Sequence, residues 1–357
     1  MSSVRRRTYP STLVSMGLVF LVFSGCLESD VSRDNPLDPG SEHYAGDVSD
    51  IRILYDAEAD QTAVIGIAED DRPVWEHLLD AEIAGGLEGS GFFVRDIDRD
   101  GFNEVVIGTR PGGADGGLIL AWDHRGDLLW STAVDVGIPY EGPTAGLGVT
   151  YVGFWEGTAE EHPRVLAVAN DVTWFSSRLF ALDPSSGKPV AEYWHPGHLG
   201  SPLITCLCNW GMERLLLIGI NNNMSALLGG HDHYSSVVCI KPSDLSGQAP
   251  PYLGGYLPPG REDWYVVAYP CTVKFTRIYI ESSSDQVLRS IVAWTNTGWA
   301  FYINPFGHLV RRGIADSAEE WSPELLVWRD GVQVCQYASV PRKLAKNAGN
   351  MFRCDVR

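Results

Sequence analysis

The sequence has little that would build a helical protein and few of the motifs that mark the commonest enzymes. Long stretches with apolar residues at three- and four-residue spacing are nearly absent, which argues against a helical bundle or an α/β fold. No G-x-S-x-G elbow, phosphate-binding G-x-x-x-x-G-K-S/T loop or H-E-x-x-H pair is present. The motif-borne forms of serine hydrolysis, nucleotide binding and zinc proteolysis are thereby excluded. No C-x-x-C pair of the kind that builds zinc sites occurs either. Basic residues are scarce: 27 Lys and Arg face 45 Asp and Glu, a formal net charge of −18. Such a surface repels nucleic acid and anionic membrane, and it favours divalent cations and neutral or basic partners. The apolar run from Leu13 to Phe23 is too short to span a bilayer as a stable helix.

What is present is a repeat. Short β-branched and aromatic runs recur between clusters of Gly, Pro, Asn and Asp, the pattern of all-β architecture. LILAWDHRG, RLFALDPSSG, VVCIKPSDLSG and AFYINPFGH align as strands that end in polar turns. With Trp122, Leu182, Ile240 and Ile303 as equivalent points, the spacings are 60, 58 and 63 residues. Before these come EVVIG, RVLAVA, RLLLIGI and RSIVAW; after them come DLLWSTAV, KPVAEYWH and HLVRRGI. FFVRDID, VTYVGFW and PLITCLC precede the pairs. Four strands per repeating unit describe a β-propeller blade, with a period long enough for inserted loops. IRILYD with TAVIGIA adds an early blade, and ELLVWRD with VQVCQYA a last one from about 322, for five or six four-stranded blades. The tail NMFRCDV reads as one more strand, placed to close the ring beside the N-terminal strands.

One turn of this array carries chemistry. In VRDIDRDGFNEVVIG, residues 94–108, Asp96, Asp98 and Asp100 alternate, Gly101 supplies a sharp turn and Glu104 closes the set. Several carboxylates in a tight loop provide the oxygen ligands that a hard cation requires. The loop runs into the apolar Val105-Val106-Ile107, a strand context unlike the helix that follows an EF-hand loop. DIDRDGFNE resembles the D-x-D-x-D-G-x-x-D/E loop of FG-GAP repeats, the calcium loops of integrin-α-like (VCBS-type) β-propellers. That resemblance implies calcium bound by side chains of Asp96, Asp98, Asp100 and Glu104 and by the carbonyl of Phe102. It covers one repeat; the corresponding stretch of the next, YVGFWEGTAEEHPRVLAVA, has its acids in other positions. ALDPSSGKPVAEYW and AWDHRGDLLWS also resemble the PQQ-type propeller repeat. In that family the tryptophan docks between blades, a role that falls here on Trp130 and Trp194. No clear quinone-binding constellation accompanies it.

The start of the chain reads as a secretion signal. Arg5, Arg6 and Arg7 precede the apolar run, and Ser24-Gly25-Cys26 follows it. This resembles the lipobox of bacterial lipoproteins and implies lipidation of Cys26, although Phe23 stands where an aliphatic residue is usual. The other reading is an ordinary signal peptide that leaves a free Cys26. The expected organisation is a signal peptide over 1–25, a flexible tether over 26–47 and a propeller over 48–357. Removal of the signal takes away three arginines and no acid, which moves the formal charge from −18 to −21. The implied location is the bacterial cell envelope, anchored by lipid to the outer membrane on its periplasmic or surface side.

Six cysteines remain, Cys206, Cys208, Cys239, Cys271, Cys335 and Cys354. They read either as disulfides, with 15 pairings open, or as buried thiols, Cys239 and Cys335 lying in apolar strand-like runs. His195 and His198 in one loop and His231 and His233 in another are a second candidate metal set, set against ordinary hydrogen-bonding histidines. Tyr252, Tyr256, Trp264 and Trp299 offer aromatic faces for a sugar or peptide, or else packing between blades. Acidic pairs such as Glu160-Glu161 and Glu319-Glu320 are carboxylates of the kind glycosidases use, or solvated surface. Three functions are compatible with this inventory. The first is a binding or scaffolding module toward carbohydrate or envelope protein, with calcium as a structural ion. The second is a polysaccharide-active or metal-dependent propeller enzyme. The third is an outer-membrane protein assembly factor. The N-terminal reading has a direct test. Cys26→Ser is expected to release the protein from the membrane fraction and abolish labelling by a fatty-acid probe; an unlabelled, wholly soluble wild type would overturn it.

Overall fold

The computed structural model describes residues 47–343, apart from 57–60, 85–90, 111–115, 135–145, 159–160, 172–175, 208–212, 222–233, 251–257, 259, 271, 283–288 and 331. The first sheet is β1 (Val48–Asp56), β2 (Gln61–Ala68) and β3 (Pro73–Leu79). The second is β4 (Phe92–Arg95), β5 (Glu104–Gly108), β6 (Leu118–Trp122) and β7 (Leu128–Ala133). The third is β8 (Leu147–Trp155), β9 (Arg164–Asp171), β10 (Ser177–Leu182) and β11 (Pro189–His195). The fourth holds β12 (Gly197–Leu199) and β13 (Leu203–Cys206), both paired with β14 (Glu213–Asn221), then β15 (Ser235–Ile240) and β16 (Trp264–Tyr269). The fifth is β17 (Phe275–Ser282), β18 (Arg289–Thr295), β19 (Trp299–Ile303) and β20 (Leu309–Ile314). The strands within these sheets pair antiparallel, and in the first, second, third and fifth sheets neighbours in sequence are neighbours in the sheet. This is an all-β fold of β-propeller architecture. Trp122, Leu182 and Ile240 end the third strands of the repeat, and Ile303 ends its counterpart, as the sequence columns predict.

The last expected blade is different. β21 (Glu324–Arg329) and β22 (Val332–Tyr337) do not stand as a separate sheet among the described residues. β21 pairs with β16, Tyr265 opposite Trp328 and Tyr269 opposite Glu324, so the hairpin extends the fourth sheet. The reason lies in period-2 burial. Trp264, Val266 and Ala268 of β16 face one apolar cluster, and Leu325 and Val327 of β21 join it. Tyr265 and Val267 face the cluster on the other side, where Leu326 joins them. A strand that is apolar on both faces is buried only inside a sheet stacked between two others. The tail NMFRCDV lies outside the described residues. Of the cysteines, Cys239 is a buried free thiol and Cys335 is disulfide-bonded.

Four hydrophobic clusters hold the stack, each between successive sheets, from the first and second to the fourth and fifth. Tryptophans dock each sheet onto the next. Trp75 of β3 lies against Gly126 in the β6–β7 turn, where His77 Nε2 donates to the Gly126 carbonyl at 2.8 Å. Trp130 of β7 lies against Gly187 in the β10–β11 turn; its Nε1 donates to the Pro184 carbonyl at 2.7 Å, and Thr132 Oγ1 to the Gly187 carbonyl at 2.6 Å. Trp194 of β11 docks through its backbone, its N–H on the Gly247 carbonyl at 3.0 Å and its carbonyl on the Ala249 N–H at 2.8 Å. Trp264 of β16 lies against Gly307, and its Nε1 donates to the Pro305 carbonyl at 3.0 Å. Burying one indole contributes on the order of 5 kcal/mol before entropy, against about 1 kcal/mol for its hydrogen bond. Burial therefore supplies the cohesion and the hydrogen bond sets the register. Trp130 and Trp194 occupy the docking positions expected of them.

Gly187 is required twice over. Its φ is +65°, and a Cβ there would come within 2.4 Å of the Trp130 ring. Gly187→Ala is expected to cost about 1–3 kcal/mol and Trp130→Ala about 3–5 kcal/mol, both read from urea unfolding midpoints.

Candidate metal centre

The acidic loop joins β4 to β5 and folds by accepting its own amides. Asp96 Oδ1 takes the Arg99 N–H at 2.6 Å and its Oδ2 the Gly101 N–H at 3.1 Å. Asp98 Oδ1 takes the Asp100 N–H at 3.0 Å, and Asp100 Oδ1 takes the Phe102 N–H at 2.8 Å. These side-chain turns satisfy a backbone that no strand ladder reaches. They also hold Arg99 at φ 68° and Gly101 at φ 95°, the left-handed region in which only the glycine is free of steric cost. Ile97, 2% exposed, points into the apolar cluster between the second and third sheets and plugs the loop into the core.

Oxygens of Asp96, Asp98 and Glu104 lie within 4.8 Å of one another. Two ligands on opposite sides of a calcium ion, each at about 2.3–2.6 Å, stand about 5 Å apart, so this spacing suits one such ion. The donors are all hard carboxylate oxygens, which fits calcium better than a softer metal. Glu104 is 1% exposed, and its Oε2 accepts the Ile97 N–H at 2.8 Å. Burial, reinforced by Asp98, Asp100 and Asp96, pushes its carboxyl up to about 7 against the pull of that N–H. Asp100 stands outside the converging three. The Phe102 ring stacks on His124 at 4.2 Å.

Two residues of this centre escaped the sequence reading. Asn103 N–H donates to Asp47 Oδ1 at 2.8 Å, and its Nδ2 donates to Asp47 Oδ2 at 3.0 Å and the Val48 carbonyl at 2.9 Å. The loop is thereby tied to the start of β1. An asparagine just before a strand was the available signal, but its partner lies 56 residues away. On the other side of the loop a polar cleft of about 460 Å³ is lined by Arg99, Glu156, Thr158, Glu161 and His162. Glu156 is paired with Arg95, and Glu161 with Lys241 at 2.8 Å.

The other candidates are placed elsewhere. His195 is fully buried on β11; its Nδ1 meets the Gly197 carbonyl at 3.2 Å, and its Nε2 meets Ser236 Oγ at 3.2 Å and Tyr265 OH at 2.9 Å. Burial lowers its pKa to about 3, so the ring is neutral and both nitrogens serve the fold. His198 is half-buried on β12, and its Nε2 has no hydrogen-bond partner among the described residues. His231 and His233 lie outside the described residues, as do Cys26, Tyr252, Tyr256 and Glu160. Among the described residues, Asp96, Asp98 and Glu104 form the one group of three metal-ligand atoms brought together. Trp264 and Trp299, candidates for an exposed aromatic face, are fully buried and pack in the cluster between the fourth and fifth sheets.

No family model matches the chain, and no curated protein matches it. Solved structures do. A europium-containing methanol dehydrogenase superposes with a TM-score of 0.44 at 10% identity, over 75% of this chain and 52% of that one. This chain thus spans about half the length of that enzyme. The Dos1 propeller gives 0.35 at 10% identity over 80% and 70% of the two chains. BamB from Moraxella catarrhalis gives 0.25 at 13% identity over 78% and 93%. Likenesses of this degree carry no argument about activity or ligand.

A second buried carboxyl, away from the loop, offers a clean test of electrostatics in this core. Glu262, 3% exposed, accepts the Tyr193 hydroxyl at 2.7 Å, and burial raises its pKa to about 7. The folded state therefore keeps a proton that the unfolded chain gives up near its ordinary value. The resulting stability is complete below that ordinary value and is lost as pH rises through about 7. Glu262→Gln is expected to remove this part of the slope, so that its urea midpoint falls less than the wild type's between pH 5 and about 8, with calcium held constant.

Proposed function

We propose that the protein is a lipid-anchored, exported β-propeller that binds or scaffolds within the bacterial cell envelope, with one structural calcium ion in the Asp96–Glu104 loop. The observation that carries this reading is the convergence of Asp96, Asp98 and Glu104 from a single hairpin loop, with Asp98 on its exposed side and Glu104 buried. A catalytic metal keeps an open position and usually takes ligands from several elements. Here Glu104 is sealed from solvent, and the loop is bonded to the first sheet through Asn103. Such an ion pins a turn between β4 and β5 and offsets the crowding of four carboxylates. The acidic surface and the lipobox-like N-terminus support an envelope location away from nucleic acid. The polar cleft beside the loop suits a hydroxyl- or amide-rich ligand, a carbohydrate or an extended segment of an envelope protein.

The ion and the ligand are tested separately. Chelation is expected to lower the melting temperature, and Asp98→Ala to abolish the response. A hundredfold excess of calcium over its Kd adds about 2.7 kcal/mol. Pure protein without calcium by elemental analysis, whose melt ignores added calcium, would refute the ion. On glycan and peptide arrays the folded Asp98→Ala variant is expected to retain the wild-type binding profile. Turnover of a polysaccharide by wild type that is lost in the folded variant would replace this reading with a metal-dependent enzyme.

A further inference from the structure

We propose that the polar cleft beside the acidic loop is one half of a groove that binds an acidic glycan, a chain of sugars carrying carboxylates. This rests on the reading of that cleft as a binding site and names what it holds. The cleft lies between Arg99 of the β4–β5 loop and residues 156–158 and 161–163 of the β8–β9 connection. A second cavity, of about 260 Å³, shares Glu161 and His162 with it and is lined further by Trp155, Arg164, Val190 and Pro242. The two cavities therefore meet at the β8–β9 connection. Together they draw on the second, third and fourth sheets, since Pro242 follows β15.

The carboxylates of this groove are already answered. Glu156 pairs with Arg95, whose guanidinium also lies over the Phe154 ring at 5.2 Å. Glu161 pairs with Lys241 at 2.8 Å, and that ammonium holds its carboxyl below the usual range. The basic groups of the lining are not answered. Among the described residues no ion pair engages Arg99, His162 or Arg164. Arg164 Nη1 donates to the Pro163 carbonyl at 3.0 Å, which uses one of the five N–H donors of a guanidinium. Arg99 is exposed, and Asp96 Oδ1 holds it at φ 68° by accepting its N–H. A left-handed arginine carries a steric cost, and such positions cluster where a side chain is kept for use. In a chain of formal charge −18, the unanswered charge lining this groove is positive.

The remaining groups select among anions. Glu156 and Glu161 would repel the closely spaced phosphates of a nucleic acid or polyphosphate, whereas carboxylates accept the hydroxyls of a sugar. Trp155, Val190 and Pro242 give the smaller cavity an apolar wall for the C–H face of a sugar ring. An acidic peptide is bound most readily along a free strand edge or by apolar pockets at side-chain spacing. The larger cleft instead lies between hairpin connections and presents Arg99, Thr158 and His162. A uronic-acid chain has one carboxylate and several hydroxyls on each residue. Its carboxylates would meet Arg99 in the larger cavity and Arg164 in the smaller through forked N–H donors. Its hydroxyls would meet Glu156, Thr158 and Glu161.

Titration calorimetry on the whole protein, with calcium held constant, tests this. The probes are galacturonic-acid oligosaccharides, the same oligosaccharides with their carboxyls reduced to alcohols, poly-glutamate and polyphosphate. Wild type is expected to bind the acidic oligosaccharides about tenfold or more tightly than the reduced ones, and Arg99→Gln and Arg164→Gln each to remove about tenfold of that preference. Both variants are expected to keep the wild-type melting temperature. Arg99→Lys, which keeps the charge without the fork, is expected to fall between wild type and Arg99→Gln. Equal binding of acidic and reduced oligosaccharides would overturn the proposal and leave the cleft as a site for neutral glycans. A preference that survives both substitutions would overturn it by placing the site elsewhere. Binding of poly-glutamate or polyphosphate in place of the oligosaccharides would overturn it in favour of a different anion. A wild type that binds none of the probes would overturn it together with the glycan reading. If a variant does not fold, the wild-type preference and its loss at high salt decide by the same criterion.

Discussion

The structure depends on a tryptophan packed flat against a glycine turn. The contact recurs where Trp75, Trp130 and Trp264 meet Gly126, Gly187 and Gly307 of the following sheet. An aromatic ring can approach the backbone that closely only where there is no side chain. Each turn is in turn shaped by its leading Asp or Asn: Asp183 accepts Ser185 and Ser186, and Asn304 accepts the Phe306 and His308 amides. A polar cap thus prepares an apolar seat. The four clusters form between the successive sheets that these seats bring together.

The acidic loop obeys the opposite logic, since it brings like charges together. Asp96, Asp98 and Asp100 spend oxygens on loop amides, while Glu104 is drawn into the protein beside them. A loop built only for stability would not place a carboxyl in apolar surroundings with three others near it. The rise in the Glu104 pKa registers that conflict, and a cation held there, as proposed, would relieve it. Because Asn103 bonds Asp47 and Val48, the loop is also the polar seam between the first and second sheets.

Strands and their order within a repeat were legible because alternation and turn residues are local. The columns ending at Trp122, Leu182, Ile240 and Ile303, the docking roles of Trp130 and Trp194, and the spacing of the acidic loop all came from such local signals. The pairing of β21 with β16 did not, because strands apolar on both faces carry no mark of which edge they join. Nor did the burial of His195 among Ser236 and Tyr265, partners 41 and 70 residues away. Asp47 falls in the expected tether because its partner Asn103 lies 56 residues away in the chain. Long-range polar pairs leave no periodicity to read.

The route of the chain through the fourth sheet has a temporal consequence. Tyr269 and Glu324 pair across an interval that contains the whole fifth sheet. A chain that emerges from its N-terminal end at synthesis completes the second and third sheets from residues already delivered. The fourth must wait with β16 as an uncovered rim until β21 arrives. During that delay β16, apolar on both faces, is the surface most open to misassociation or to a chaperone. The fifth sheet therefore matures as an inserted unit, and its folding sets the moment at which the fourth sheet can close.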